Sequence, residues 1–188
     1  MPTHLTRLFL IASLLFAALP AAAQDAWQQA RAPGTHLMMR HALAPGTGDP
    51  AGFALGDCAT QRILSDEGRV QARRIGERLR GNGIEVDVVL TSRWCRSSET
   101  AELLGIAPVT PEPAFDSFFR DRQAAAGQTE ALKARLAALD AEGRKAVMVT
   151  HQVNITALTD IFPASGEIVL VTLGSDGEIS VAGRIPPD

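Results

Sequence analysis

Residues 35–41 read THLMMRH, and this stretch decides the fold. Pro33-Gly34 punctuates the chain just before it, and a short, mostly apolar run follows. Such a run, bounded by turn residues, predicts a buried strand. The pattern returns twice: 86–91 (VDVVLT) runs into Ser92, and 146–150 (AVMVT) runs into His151. Helical patterns lie between and after these runs. Ser65 is placed to cap a helix that opens with Asp66-Glu67-Gly68, repeats apolar or small residues at Val70, Ala72, Ile75 and Leu79, and stops at Gly81-Asn82-Gly83. Further helices are predicted over 96–104, over 129–141 with Leu132, Leu136 and Leu139 inward, and over 152–161. Residues 168–173 and 179–182, around Ser175-Asp176-Gly177, predict a closing hairpin. Strands alternating with helices predict the α/β class: a three-layer α/β/α sandwich with a mostly parallel central sheet.

Composition narrows the classes further. With 188 residues, 46% hydrophobic and 21% charged, the chain is sized for one domain with a packed core. A net charge of −3 gives no field for nucleic acid or an anionic membrane, so no nucleic-acid partner is expected. The two cysteines form no Cys/His cluster at zinc spacing. The N-terminus reads separately. Residues 1–7 carry Arg7 and no acid, residues 8–19 run LFLIASLLFAAL, and Pro20-Ala21-Ala22-Ala23 ends in small residues. This predicts a signal peptide over 1–23, cleaved after Ala23, and a single domain over 24–188. The apolar run falls short of the ~20 residues that span a bilayer, so no stable membrane insertion is expected after cleavage. The protein is thus expected in the periplasm or outside the cell. Export favours pairing of Cys58 with Cys95, with two separate buried thiols as the alternative.

Two segments lack periodicity. Residues 44–59 are rich in Gly and Pro and carry Cys58, so they read as a long, tethered active-site lid. Residues 106–119 hold three prolines and read as irregular.

Chemistry collects at the ends of the three strands. The first ends in Arg40-His41, the second in Ser92 with Arg96 four residues on, and the third in His151. In open α/β sheets, ligands sit outside the carboxyl ends of the strands. Two histidines and two arginines converging there suit a dianion, because the guanidinium fork matches phosphate oxygens.

At these residues the sequence resembles the histidine phosphatase superfamily, with its phosphoglycerate-mutase-like fold. Met39-Arg40-His41-Ala42 is similar to the family's Arg-His-Gly signature, and residues 64–72 (LSDEGRVQA) to its Leu-Thr-x-x-Gly-x-x-Gln-Ala segment. Residues 92–101 (SRWCRSSETA) match its Ser-x-x-x-Arg-x-x-x-Thr-Ala stretch, and Val149-Thr150-His151 its second histidine. The resemblance implies that His41 is a nucleophile forming a phosphohistidine. Arg40 and Arg96 would hold the phosphoryl oxygens, with His151 completing the pocket and no metal or other cofactor needed. Ser92, Arg93 and Asn154 would line the same pocket.

Two departures stand out. Position 42 is Ala where the family has Gly. The family's general-acid Glu also has no clear counterpart: Asp116 lies nearest, Glu112 and Asp121 are other carboxylates in reach, and a turn or capping role competes for Asp116. The expected reaction is hydrolysis of a small phosphate monoester, such as an envelope phosphosugar that Arg120 and Arg122 could contact beside Phe118-Phe119. Phosphohistidine hydrolysis and non-catalytic anion binding are the rival readings. His36 is expected to be a hydrogen-bonded packing residue, and Trp94 to pack beside the disulfide or the pocket rim.

Overall fold

The computed structural model describes residues 21–187, and the three expected strands lie side by side at the centre of one six-stranded sheet. In chain order the strands are β1 (His36–Arg40), β2 (Val88–Thr91), β3 (Val109–Pro111), β4 (Ala146–Thr150), β5 (Ile168–Leu173) and β6 (Ile179–Ile185). The helices are α1 (Ala21–Arg31), α2 (Asp66–Gly81), α3 (Cys95–Leu104), α4 (Ala125–Ala141) and α5 (Gln152–Thr159). The spatial order is β3-β2-β4-β1-β5-β6. The first four strands are mutually parallel, while β5 runs antiparallel to β1 and forms an antiparallel hairpin with β6 at the edge. The α/β sandwich is therefore as expected. Of the signal-peptide segment, residues 1–20 lie outside the described residues.

The central strands read as continuous apolar runs because both faces of the sheet are covered. On β1, Leu37 and Met39 point to a layer that includes Ile75 and Leu79 of α2, Ala101 and Leu104 of α3, and Ala26 and Ala30 of α1. Met38 points the other way, to Leu132, Leu136 and Leu139 of α4, Ile155 of α5, and Phe115. Each buried Leu, Ile, Met or Phe among these contributes about 1.5–3 kcal/mol of apolar burial.

Glycine is required where α2 closes on its neighbours. A Cβ on Gly68 would stand 2.0 Å from the Leu43 carbonyl oxygen, and one on Gly76 2.0 Å from that of Leu104. Both glycines allow close packing of α2, the first against the chain that has just left His41.

Three elements differ from expectation. The segment 106–119, expected to be irregular, contributes the edge strand β3, held to β2 by Val89 N–H to Pro108 O at 2.9 Å and Glu112 N–H to Thr91 O at 2.8 Å. Helix α1 lies against β6 with Trp27 half-buried. Helix α4 starts at Ala125, four residues before the expected 129.

Register is what positions the site. Arg40 pairs with Thr150, and Thr91 with Val149, so β1, β4 and β2 end level. The ladder runs one residue further, with His41 N–H to Thr150 O at 2.9 Å and Ser92 N–H to Val149 O at 3.0 Å. His41, Ser92 and His151 thus leave the sheet side by side.

Candidate active site

His41 is 2% exposed at the floor of a cavity of about 310 Å³. Its Nδ1 lies 2.8 Å from the Ala42 carbonyl oxygen, and its Nε2 lies 3.2 Å from the Arg96 Nε–H. A carbonyl only accepts, so Nδ1 carries the proton and Nε2 keeps its lone pair. Burial, then the Arg96 charge, pushes the His41 pKa well below its ordinary value of 6.5, which keeps the ring neutral.

The second histidine is fixed by a different route. His151 Nδ1 lies 3.4 Å from Arg96 Nη2 and its Nε2 lies 2.8 Å from Ser92 Oγ. Arg96 only donates, so Nε2–H of His151 donates to Ser92, whose hydroxyl reaches Asp116 Oδ1 at 3.4 Å. Burial and then the neighbouring His41 push the His151 pKa well below 6.5. The two rings stand edge to face with centroids 5.4 Å apart.

The signature residues around these histidines mostly brace backbone. Thr100 Oγ1 accepts the Ala42 N–H at 3.1 Å and donates to the Arg96 carbonyl at 2.6 Å. Gln71 accepts the Leu43 N–H at 3.0 Å and donates to the Ser165 carbonyl at 3.1 Å. Ser65 caps α2 by accepting the Gly68 N–H, and its own N–H donates to Leu43 O. Residues 42 and 43 are thereby held on both sides, and His41 with them.

Arg40, His41, Arg96 and His151, all foreseen, line the cavity together. The other four foreseen positions do not line it. Ser92 is fully buried beneath His151. Asn154 is buried too, donating to the Asp116 carbonyl at 2.8 Å. Arg93 turns outward and holds the Asp116 carboxylate through Nε at 2.8 Å, Nη2 at 2.5 Å and its own backbone N–H at 2.9 Å. Asp116 is therefore saturated by donors and faces Ser92, with no side-chain edge on the cavity. Glu112 and Asp121 cap short 3-10 turns, accepting the Ala114 and Gln123 N–H groups.

The roof is residues 44–62. Cys58 and Cys95 form the expected disulfide, which tethers this segment to the start of α3. Asp49 reaches down to Arg96, with Oδ1 at 2.6 Å from Nη1, and both side chains are buried. Trp94 Nε1–H donates to the same carboxylate at 2.9 Å, while its ring stacks on Phe53 beside the disulfide. Burial pushes the Asp49 carboxyl up, but hydrogen bonds from Arg96 and Trp94 outweigh this and hold it below the usual range. Arg62 donates to the Gly48 carbonyl at 2.9 Å and to the Ala44 carbonyl. Burial, then the charge of Arg96, pushes its pKa down to about 10. Sequence reasoning missed Asp49 and Arg62, although the Cys58–Cys95 pairing brings their segment beside Arg96. His36, by contrast, is the expected packing residue, 3.0 Å from Asp140 and accepting the Ala146 N–H.

Known proteins share this fold. The profile of the histidine phosphatase superfamily (branch 1) matches residues 37–129. The chain belongs to this superfamily. Among solved structures, the protein histidine phosphatase SixA in complex with tungstate superposes with a TM-score of 0.59 at 24% identity, covering 81% of this chain and 97% of that one. A mycobacterial glucosyl-3-phosphoglycerate phosphatase superposes with a TM-score of 0.57 at 15% identity, covering 80% and 97%. The mitochondrial serine/threonine-protein phosphatase Pgam5 of Drosophila virilis is 42% identical over 50 residues, which are 27% of this chain and 17% of that one. At these identities the superpositions speak to the fold. Within this superfamily chain, the described residues contain no group of three His, Cys, Asp or Glu placed to hold a metal ion.

Proposed function

We propose that this chain is a phosphatase that hydrolyses a small phosphate monoester through a phosphohistidine on His41, with no metal ion. One observation carries the reading: a neutral, buried His41 presents its Nε2 lone pair to Arg96 in a cavity lined also by Arg40, Arg62 and His151. The phosphoryl group would take the guanidinium donors that now face His41 and Asp49. His41 Nε2 forms a bond to phosphorus as the phosphorus–oxygen bond to the leaving group breaks. Water then attacks phosphorus, the nitrogen–phosphorus bond breaks, and orthophosphate departs with the lone pair restored to Nε2. Positioning and fixed positive charge are the main requirements of phosphoryl transfer, and each donor is worth several kcal/mol in a dry site.

A phosphohistidine substrate is the second reading, and the acid problem favours it. Among the described residues, Asp49 is the one carboxylate lining the cavity, and it is ion-paired and held ionised. An alkoxide leaving group gains about 10²–10⁴-fold from a proton donor. A good leaving group needs less help.

The deciding experiment is p-nitrophenyl phosphate hydrolysis in EDTA by the wild type and His41→Ala, with acid-quench trapping of the phosphorylated protein. Turnover and a trapped phosphohistidine, both lost in His41→Ala, are expected. Turnover that needs added metal, or that survives in His41→Ala, overturns the mechanism. No turnover with phosphate still bound points to a binding protein.

Export is part of the same reading. The apolar N-terminal run and the Cys58–Cys95 disulfide support it, and cleavage after Ala23 leaves Ala26, Trp27 and Ala30 in place on the sheet. N-terminal sequencing of the protein recovered from the envelope or medium should start at Gln24. Retention of Met1 in that fraction would refute the cleavage.

A further inference from the structure

The mouth of the cavity carries features that the phosphoryl chemistry does not use. Phe162 lines it while 70% exposed, the most exposed large apolar side chain among those described. Phe119 lines it from a different segment, its ring edge against Gly48 at the position where a Cβ would stand 3.5 Å away. The Arg122 guanidinium lies over the Phe119 ring, 5.5 Å from its centroid, and among the described residues no carboxylate pairs with it. Single exposed apolar residues are ordinary on a surface. Two phenylalanines and an uncompensated arginine around one opening call for an explanation.

Charge counting divides the cavity into two parts. Arg40, Arg62 and Arg96 surround His41, and Asp49 offsets one of these charges. The remaining two positive charges balance a phosphoryl dianion. Arg40 and Arg62 otherwise donate to the neutral carbonyls of Pro163 and of Ala44 and Gly48, which leaves their charge uncompensated. Arg122, outside this inner group, has one positive charge left over.

Resting on the phosphatase reading above, we propose that Arg122, Phe119 and Phe162 form a second subsite for the leaving group. It takes a phosphate monoester whose leaving group presents a flat apolar face and an anionic group, a carboxylate or a second phosphate. The phenylalanines stack on or against the flat face, and the guanidinium pairs with the anion. Ser117 and Gln152 supply polar edges at the same opening.

A binding experiment tests this without relying on turnover. Titration calorimetry of the mature protein at low salt compares 4-carboxybenzylphosphonate, its 4-carbamoyl analogue and inorganic phosphate. The two phosphonates share shape and differ in charge at the far end. Arg122 is exposed, so a preference of about three- to five-fold for the carboxylate is expected. Arg122→Met should bring that ratio to about one, and Arg120→Met, an exposed neighbour that does not line the cavity, should leave it as in wild type. Phe162→Ala should weaken both phosphonates and leave inorganic phosphate bound as before. Equal binding of the two phosphonates by the wild type, or a ratio unaltered by Arg122→Met, overturns the subsite. Hydrolysis of p-nitrophenyl phosphate with no such preference would refute the subsite alone. The preference without any hydrolysis would refute the phosphatase reading alone, and failure to bind any of the three anions would refute both.

Discussion

His41 and His151 stand on a floor whose backbone continues the ladder of the central sheet, whereas Asp49 and Arg62 hang from residues 44–62, where a 3-10 turn at Cys58–Thr60 interrupts irregular chain. The floor owes its precision to strand register and to buried side chains that brace residues 42 and 43. The roof is held by a disulfide, one buried ion pair, a Phe53–Trp94 stack and arginine bonds to carbonyls. Arg96 belongs to both, touching His41 below and Asp49 above. The difference teaches how this fold builds one pocket from two kinds of support: the paired histidines sit where rigid strands end, and the carboxylate and arginine that face them sit on a tethered loop.

Variants can break or sharpen that contrast. His41→Ala, on the floor, should lower kcat for p-nitrophenyl phosphate by about 10⁴-fold or more, measured against the uncatalysed background. Arg96→Met should lower it by about 10³-fold and cost about 3–5 kcal/mol in urea unfolding, because Asp49 is left buried without its partner. Adding Asp49→Asn should recover most of that stability and none of the activity. Recovery of both would show that Arg96 matters only as a strut.

Asp116→Asn discriminates more finely. Since Asp116 acts on His151 through Ser92, a loss of about ten-fold is expected, and it should be equal for aryl and alkyl phosphates. A loss that grows with the basicity of the leaving group would make Asp116 the general acid after all. Cys58→Ser/Cys95→Ser, on the roof, should cost about 2–4 kcal/mol of stability. Turnover of small aryl phosphates should change by no more than a few-fold.

Acid should separate activity from stability. His41 stays neutral in the folded protein below pH 6.5, so its nucleophilicity persists as the pH falls through that value. In the unfolded chain both histidines take up protons near 6.5. Below that pH the unfolded state therefore binds more protons than the native state, and stability declines as pH drops. Melting temperature should fall from pH 7 to 5 while kcat/KM holds through pH 6.5. A rate profile that halves near pH 6.5 would place an ordinary histidine at the nucleophilic position.

The floor was the legible part of this sequence. Three apolar runs with functional residues at their ends fix strands, register and catalytic candidates together, because a doubly covered parallel sheet writes itself as unbroken hydrophobicity. The paired cysteines were legible from the expected compartment. Asp49 and Arg62 were not, since an irregular loop has no period and its contacts depend on a tether between Cys58 and Cys95, 37 residues apart. The inward-looking assignments of Arg93 and Asn154 failed for a related reason: spacing places a residue near a strand end without saying which way its side chain turns. Strand β3 escaped notice because prolines argue against strands in general.

Those prolines have a consequence of their own at the rim of the sheet. Val89 N–H reaches Pro108 O, and Glu112 N–H reaches Thr91 O. Along β3 the alternate positions 109 and 111 therefore turn their nitrogens away from the sheet, toward the open side. At position 111 that nitrogen is a proline's, and Pro113 opens a 3-10 turn just past the strand. An incoming chain would find Val109 as the lone donor along this border. The border resists recruitment into cross-chain ribbons, a safeguard against clumping between copies of the chain.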